Sequence, residues 1–168
     1  MSKHTYDYGV IGNCAFSAHI HKDTSVAWMC WPRFDSSFIF GGMLDKEKGG
    51  EYSIKPASSN FTTSQYYIEN TNVLCTDVKA ADGIYRVTDF APRFYQTDRY
   101  HKPLMLIRKI ENLSGTPNIK VRCHPVADYG KIVPEHSFGS NHIRFLGLDA
   151  HVRLTTNISL NYILDDQS

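Results

Sequence analysis

The sequence has no long apolar run. Residues 1–7 are polar, and no stretch after them is apolar enough to form the core of a signal peptide or a membrane span. Charge of one sign is also lacking, since 18 Lys and Arg residues face 17 Asp and Glu residues. This balance gives no electrostatic reason for binding nucleic acid or an anionic membrane. We therefore expect a cytoplasmic protein with no nucleic-acid and no membrane partner.

Motifs for metals, nucleotides and redox chemistry are missing as well. The four cysteines are far apart and form no CxxC pair, so free and mostly buried thiols are expected. His19 and His21 share one face of a predicted strand, but no third ligand is fixed near them. The sequence contains no P-loop, GxGxxG, GxSxG or HExxH pattern. No metal and no cofactor are predicted.

Apolar residues recur mostly with period two, which is the pattern of strands with one buried face. In Ile119–Cys123 apolar and basic residues alternate strictly, and the Asp82-Gly83 pair is the strongest hairpin signal. Residues that favour turns separate the apolar runs. The predicted strands are residues 7–11, 15–21, 26–31, 50–55, 64–78, 84–90, 104–112, 119–125, 142–147 and 150–158.

One segment, near residues 36–44, has a helical pattern. Polar residues at its start can cap a helix, and the Gly41-Gly42 pair would keep it short. A chain of 168 residues can bury a core of its own, and no linker or repeat divides it. The prediction is one domain over residues 1–168. Its fold class is all-β, a mainly antiparallel β-sandwich of the supersandwich-like type, with this one short helix.

Three motifs follow one another along the chain. They are residues 8–36, which end in WPRFDS, residues 86–93, RVTDFAPR, and residues 128–134, DYGKIVP. In this order and spacing they resemble the trehalase-like amino-terminal domain of glycoside hydrolase family 15, which includes glucoamylases and trehalases. Thr24 stands where that family usually has glycine, Ala27 where it has an acidic residue, and Trp31 where it has an aliphatic one.

The resemblance implies that this chain and the catalytic residues belong to different domains of one enzyme. Members of the family continue into an α-helical (α/α)6 barrel that carries two catalytic glutamates, and they cleave α-glucosidic bonds with inversion. This sequence stops at Ser168, so the resemblance implies that the chain holds no catalytic residue. The expected partners are the protein's own C-terminal barrel and, in the parent enzyme, an α-glucoside such as trehalose or a maltooligosaccharide.

The loop from Trp31 to Asp35 is the best candidate for function. Trp31 and Phe34 offer aromatic faces, Arg33 a forked cation and Asp35 a carboxylate, on a loop stiffened by proline. Sugar recognition uses these groups for stacking and for paired hydrogen bonds. The structural alternative is a clamp of Arg33 on Asp35 or on the backbone, with the two aromatic residues in the core. The resemblance favours a substrate-rim or interdomain role.

Four residues of the other two motifs follow strands, namely Asp89, Arg93, Asp128 and Tyr129. Strand ends are expected to bring them near the Arg33 loop on one rim of the sandwich. A catalytic carboxyl pair would need a separation of about 6.5–9.5 Å for inversion or about 5–5.5 Å for retention. The simpler interpretation is that each aspartate pairs with an arginine or caps a turn.

Two alternatives to the supporting role are open. A free-standing carbohydrate-binding module would use Trp31 and neighbouring tyrosines. Tyr66-Tyr67 and Tyr95 to Tyr100 offer stacking surfaces, although most tyrosines of a β-protein pack on sheet faces. A structural or assembly domain would expose an unpaired strand edge, and such edges recruit partners, so a homodimer through strand exchange is a further prediction.

Overall fold

The computed structural model describes residues 6–160, which form fifteen strands and a 3-10 turn at Asp128–Gly130. In chain order the strands are β1 (Tyr8–Gly12), β2 (Ser17–His21), β3 (Val26–Cys30), β4 (Phe38–Phe40), β5 (Glu51–Pro56), β6 (Phe61–Tyr67), β7 (Leu74–Ala80), β8 (Gly83–Phe90), β9 (Phe94–Gln96), β10 (Arg99–His101), β11 (Ile107–Gly115), β12 (Ile119–His124), β13 (Glu135–Phe138), β14 (His142–Leu146) and β15 (Val152–Thr155).

Two four-stranded antiparallel sheets make the body of the fold. One has the order β1-β2-β3-β4 and the other has the order β11-β8-β7-β6. Smaller antiparallel sheets join β5 to β12, β9 to β10, and β13 to β14 and β15. The all-β, mainly antiparallel, sandwich-like class predicted from the sequence is confirmed.

The two large sheets approach each other closely. A Cβ atom on Gly9 of β1 would lie 2.4 Å from Leu74 Cδ2 of β7, so any larger residue at this crossing would require the Leu74 side chain to move. The larger apolar cluster forms around this contact, and a second one lies beside β5, β7 and β8. The first contains Ile11, Phe16, Ala18, Ile20, Val26, Met29, Ile39, Phe40 and Leu74, and the second Ile54, Val78, Tyr85 and Val87.

Residues 38–40 form strand β4, so the predicted short helix is wrong. Phe38, Ile39 and Phe40 are all buried, and β4 pairs with β3 through Met29↔Phe40 and Cys30↔Phe38. One turn of helix would leave part of this apolar run in water, whereas a strand covered on both faces buries all of it. Within residues 6–160 no α-helix is present.

Other differences concern short strands and turns. The predicted strand 64–78 is two strands, β6 and β7, and Asn70 in the turn between them has a φ of 58°. Strands β9, β10 and β13 were not predicted, because they have three or four residues and mostly exposed side chains. The hairpin at Asp82-Gly83 is confirmed, with Ala80↔Gly83 as its last pair.

Thr24 occupies a position that suits glycine. Its φ is 72° and its side chain is fully buried, although a β-branched residue is strained at positive φ. Thr24 Oγ1 donates to Ile54 O at 2.6 Å and accepts from Ile54 N at 3.3 Å. These two bonds tie the β2–β3 turn to β5. They offset the strain that a glycine would avoid.

Asp23, in the same turn, is held ionised. Partial burial acts to raise its pKa, but hydrogen bonds from Ser25, His21 and Lys55 outweigh burial and hold the pKa well below the ordinary carboxyl value. The Asp23 Oδ1 atom lies 2.9 Å from His21 Nδ1, and Asp23 Oδ2 lies 3.0 Å from Lys55 Nζ. A carboxylate with a lowered pKa stabilises the fold above its unfolded-state pKa, and the contribution declines as the pH falls below that value.

Replacing Asp23 should therefore lower the free energy of unfolding less at acidic pH than at neutral pH. Asp23→Asn is expected to lower the free energy of unfolding by about 2 kcal/mol at pH 7. At pH 3 the free energies of unfolding of the variant and the unsubstituted chain should differ by roughly 1 kcal/mol less than at pH 7. Urea unfolding at the two pH values measures both quantities. The control is Asp35→Asn, whose carboxylate is 70% exposed, with an expected effect below about 0.5 kcal/mol. If Asp23→Asn lowered the free energy of unfolding equally at both pH values, the stabilisation would not come from the ionised Asp23 carboxylate.

Candidate functional site

Several connecting segments meet at one end of the sandwich. Strand pairing sets the end of β1 beside the start of β2, and the end of β3 beside the starts of β2 and β4. Hydrogen bonds from the β1–β2 turn reach the chain just after β8 and just before β11. We call this surface the rim and define it as residues 13–16, 31–37, 92–103 and 128–129.

The Trp31–Asp35 loop combines the two predicted arrangements. Arg33 Nε donates to Asp35 Oδ1 at 2.9 Å and Arg33 Nη2 donates to Asp35 Oδ2 at 3.1 Å, which forms a bidentate clamp. Trp31 is partly buried, and its ring lies 5.1 Å from that of Phe16 in an edge-on contact. Phe34 is instead 58% exposed. The loop therefore packs through Trp31 and presents Phe34 and the ion pair to solvent.

Asn13 joins two parts of the rim. Its side chain is buried, and its Nδ2 donates to Pro92 O at 2.9 Å and to Pro103 O at 2.8 Å. The Asn13 Oδ1 atom accepts from Ala15 N at 3.1 Å, which fixes the β1–β2 turn. Since Pro92 and Pro103 flank the β9–β10 hairpin, Asn13 anchors both ends of that hairpin to the turn beneath Trp31.

The β9–β10 hairpin carries Arg93 and a set of aromatic rings. Arg93 lies over the Tyr100 ring at 5.0 Å, and its Nη1 is 3.4 Å from Cys14 Sγ. Tyr95 and Tyr100 face each other across the strands at 5.1 Å, and both are more than 60% exposed. Arg93 is therefore on the same end of the fold as the Trp31–Asp35 loop, and the hairpin exposes apolar surface beside it.

Asp128 and Tyr129 lie at the rim because Tyr129 packs against the start of β4. Both have positive φ angles, 44° and 57°, in the turn before Gly130. The Tyr129 ring makes an edge-on contact with Phe38, 5.7 Å between centroids, and Phe38 directly follows the Trp31–Ser37 loop. Asp128 Oδ2 accepts from Lys131 Nζ at 3.1 Å. The turn thus presents an exposed tyrosine beside the loop, while its carboxylate pairs locally.

Asp89 lies inside the sandwich and not on the rim. On β8, Tyr85, Val87 and Asp89 share the buried face, so the strand carries its carboxylate into the core. Arg108 Nε donates to Asp89 Oδ1 at 2.8 Å and Arg108 Nη2 to Asp89 Oδ2 at 3.2 Å. The two side chains are 1% and 0% exposed. This aspartate therefore pairs with an arginine, which is one of the two arrangements predicted for it.

All three nitrogen atoms of the Arg108 guanidinium donate hydrogen bonds to neighbouring groups. Besides Asp89 it binds Tyr52 O at 3.1 Å and Thr24 O at 2.5 Å, and it lies 4.7 Å over the Tyr52 ring. Burial acts to lower the pKa of Arg108, but the Asp89 carboxylate outweighs this effect and raises it. Burial also raises the pKa of Tyr52 to about 12. The cluster is therefore a buried, hydrogen-bonded part of the core.

Two surface clefts in residues 6–160 lie away from the rim. They measure about 220 and 300 Å3, and neither is lined by a rim residue. In the same part of the chain, no three His, Cys, Asp or Glu side chains are grouped to hold a metal ion. No helical segment there is long and apolar enough to cross a membrane.

Asn13, which organises the rim, and Arg108, which organises the core, were missed from the sequence. Asn13 follows a strand and precedes a tight turn, which is a position where asparagine often bonds the backbone, so its spacing was an available signal. Arg108 gave none, because it sits in a strand that turns polar and resembles an exposed position.

Fold and rim together define an all-β sandwich domain with a loop-built surface at one end. Residues 6–165 match the family model described as trehalase-like, N-terminal. The chain belongs to this family of trehalase-like N-terminal domains. No solved structure gives a significant match.

Curated relatives carry the name trehalase. The trehalase of Thermoplasma volcanium is 34% identical over 131 residues, which cover 76% of this chain and 20% of the relative. The trehalase of Mycobacterium tuberculosis is 25% identical over 175 aligned residues, covering 92% of this chain and 26% of the relative. Trehalase 1 of Sulfolobus acidocaldarius is 40% identical over 84 residues, or 50% of this chain and 14% of the relative. The chain thus spans about a fifth of the relatives' length.

Proposed function

We propose that this chain is the non-catalytic N-terminal domain of a trehalase-like glycoside hydrolase, and that its rim packs on the catalytic barrel. The parent enzyme, on this proposal, is a cytoplasmic member of glycoside hydrolase family 15 that hydrolyses an α-glucosidic bond with inversion. The observation that carries the proposal is the group of exposed aromatic side chains that the fold brings together at the rim.

Exposed apolar side chains at the rim support an interface role. Phe34, Tyr95, Tyr100 and Tyr129 are each between 58% and 62% exposed. They belong to three separate segments that the Asn13 and Phe38 contacts bring to one end. Grouped exposed aromatic residues mark interaction surfaces, whereas single ones do not. A barrel seated on this end would cover them together.

The Arg33–Asp35 clamp supports a place at the edge of the substrate site. Both side chains are at least 70% exposed, so an added surface could desolvate them. A fixed guanidinium and carboxylate offer paired donors and acceptors to adjacent sugar hydroxyls. The aspartates Asp35 and Asp128 are engaged by neighbouring cations and Asp89 is buried. On this proposal, the general acid and the general base of the reaction therefore belong to the barrel.

A chimeric enzyme tests the proposal. The matched segment of the Thermoplasma volcanium trehalase is replaced by this chain, and glucose release from trehalose is followed. The chimera should be active, and Arg33→Ala should lower kcat/KM by about 10- to 100-fold, mainly through KM, because a charged hydrogen bond to the sugar is lost. The matched control is Val121→Ala on β12, an exposed apolar residue outside the rim, which should change kcat/KM less than about twofold.

Three results would count against the proposal. Glucose release by the 168-residue chain alone would show that it is catalytic itself. Equal kcat/KM for the Arg33→Ala and Val121→Ala chimeras, both folded by circular dichroism, would remove the rim from the substrate site. Calorimetric binding of trehalose or maltose to the isolated chain, lost in Trp31→Ala, would favour a free-standing carbohydrate-binding module.

A further inference from the structure

Strand β6 presents an open edge. It pairs with β7 along its whole length, and no other strand of residues 6–160 pairs with it. None of the described backbone hydrogen bonds outside the strand ladders involves residues 61–67. Its outer row of N–H and C=O groups is therefore available to another extended chain.

The neighbouring edge of β1 is closed by side chains. The Tyr67 hydroxyl accepts from Val10 N at 2.7 Å and donates to Val10 O at 2.9 Å, which occupies both ladder groups of that residue. Asn72 Nδ2 donates to Gly12 O at 2.6 Å. Proteins protect strand edges in this way against pairing with other chains.

Two other long edge strands are protected by charge. β11, at the opposite edge of the same sheet, carries Lys109 and Glu111 and has a break in register between Asn112 and Ser114. β12 carries Lys120 and Arg122 among its six residues. Charged side chains and bulges on an edge discourage a second chain from adding to it.

Strand β6 has none of these protections. It has seven residues, FTTSQYY, with no charged side chain and no proline. Its register with β7 runs without a break from Phe61↔Ala80 to Tyr67↔Leu74. Thr62, Ser64 and Tyr66 lie on the exposed face, while Phe61 packs into the core from the other. The edge is therefore straight, regular and rich in residues that favour strands.

We propose that β6 is a self-association surface through which two copies of this chain pair antiparallel, related by a two-fold axis at Ser64. A second copy is the occupant that this edge fits without change of conformation, because it offers the same extended, unpaired strand. Pairing about Ser64, the middle of β6, makes the longest ladder and sets Thr62 opposite the partner's Tyr66. No like charges meet, and the two sheets become one of eight strands. This inference goes beyond the proposed function and does not depend on it.

Sedimentation equilibrium of the 168-residue chain between 10 µM and 1 mM tests the surface. The ladder is short, so we expect a dimer with a dissociation constant on the order of 10–100 µM. Ser64→Lys should raise this constant at least tenfold, because it sets two ammonium groups opposite each other at the axis. The matched control is Ser114→Lys, an exposed serine on the opposite edge strand, which should leave the constant within about twofold.

Cross-linking supplies an independent readout of the register. In a Cys14→Ser background, Ser64→Cys should form a disulfide-linked dimer on oxidation, because directly opposed Cα atoms lie about 4.5–5.5 Å apart, within disulfide range. Ser114→Cys should not. A chain that stays monomeric at 1 mM overturns the proposal. A dimer that Ser64→Lys and Ser114→Lys weaken equally also overturns it, and so does a dimer that Ser64→Cys does not cross-link. Circular dichroism spectra matching the parent chain establish that each variant is folded.

Discussion

Asp89→Ala is expected to lower the free energy of unfolding by about 3–5 kcal/mol, because it leaves the Arg108 guanidinium buried without its counter-charge. Arg108 keeps only the carbonyl oxygens of Thr24 and Tyr52 and the face of the Tyr52 ring. These neutral groups do not replace a carboxylate at 2.8 Å. Urea unfolding of the parent chain and the variant at pH 7 measures the difference.

The adjacent ion pair provides a matched control. Arg86 and Asp77 form the same bidentate contact across β7 and β8, at 2.6 and 2.9 Å, but their side chains are about 30% exposed. Asp77→Ala should therefore lower the free energy of unfolding by only about 1 kcal/mol. The double variant Asp89→Leu/Arg108→Met should recover part of the Asp89→Ala loss, since apolar groups can replace a buried pair. If Asp89→Ala and Asp77→Ala lowered the free energy of unfolding equally, burial of the ion pair would not explain the large effect expected at Asp89.

Asn13→Asp should be the most damaging change at the rim. The variant places a carboxylate oxygen where Nδ2 now donates to Pro92 O and Pro103 O, so three oxygens meet without a proton in a buried site. We expect a loss of about 2–4 kcal/mol in the free energy of unfolding. Hydrogen exchange of the β9–β10 amides should also accelerate more than that of the β7 and β8 amides, because the hairpin loses its anchor.

Asn72→Asp separates this effect from a general intolerance of charge. Asn72 Nδ2 also donates to a backbone oxygen, that of Gly12 at 2.6 Å, but the residue is exposed. Water can solvate the new carboxylate there, so the expected loss is below about 1 kcal/mol. Unchanged exchange rates in the hairpin of Asn13→Asp would show that its conformation does not depend on the Asn13 bonds.

Periodicity predicted the strands that have one buried and one exposed face. On β8 the buried residues Tyr85, Val87 and Asp89 alternate with partly exposed ones, and the pattern is readable from the sequence despite the acidic member. The pattern fails where burial does not alternate. β4 is buried on both faces and resembles a short apolar helix, while β9 and β10 are exposed and resemble a loop.

The rim was predicted in part. Spacing and motif order led to the Trp31–Asp35 loop, Arg93 and Tyr129, which the fold brings to one end. Their grouping depends on contacts between distant residues, such as Asn13 with Pro103, which no local pattern encodes. The prediction that Asp89 lies at the rim is wrong, because Asp89 has the parity of Tyr85 and Val87 on β8 and therefore points inward. The same residue type at position 35 lies in a loop and stays exposed.

The Arg108 cluster also has a consequence for synthesis on the ribosome. Its partners Asp89, Tyr52 and Thr24 precede it by 19, 56 and 84 residues. Until β11 emerges, the Asp89 carboxylate has no counter-charge and keeps its hydration, so the inner faces of the sheets cannot close around it. Contacts at such separations also slow folding. The nascent chain therefore completes its core only after more than a hundred residues have been made.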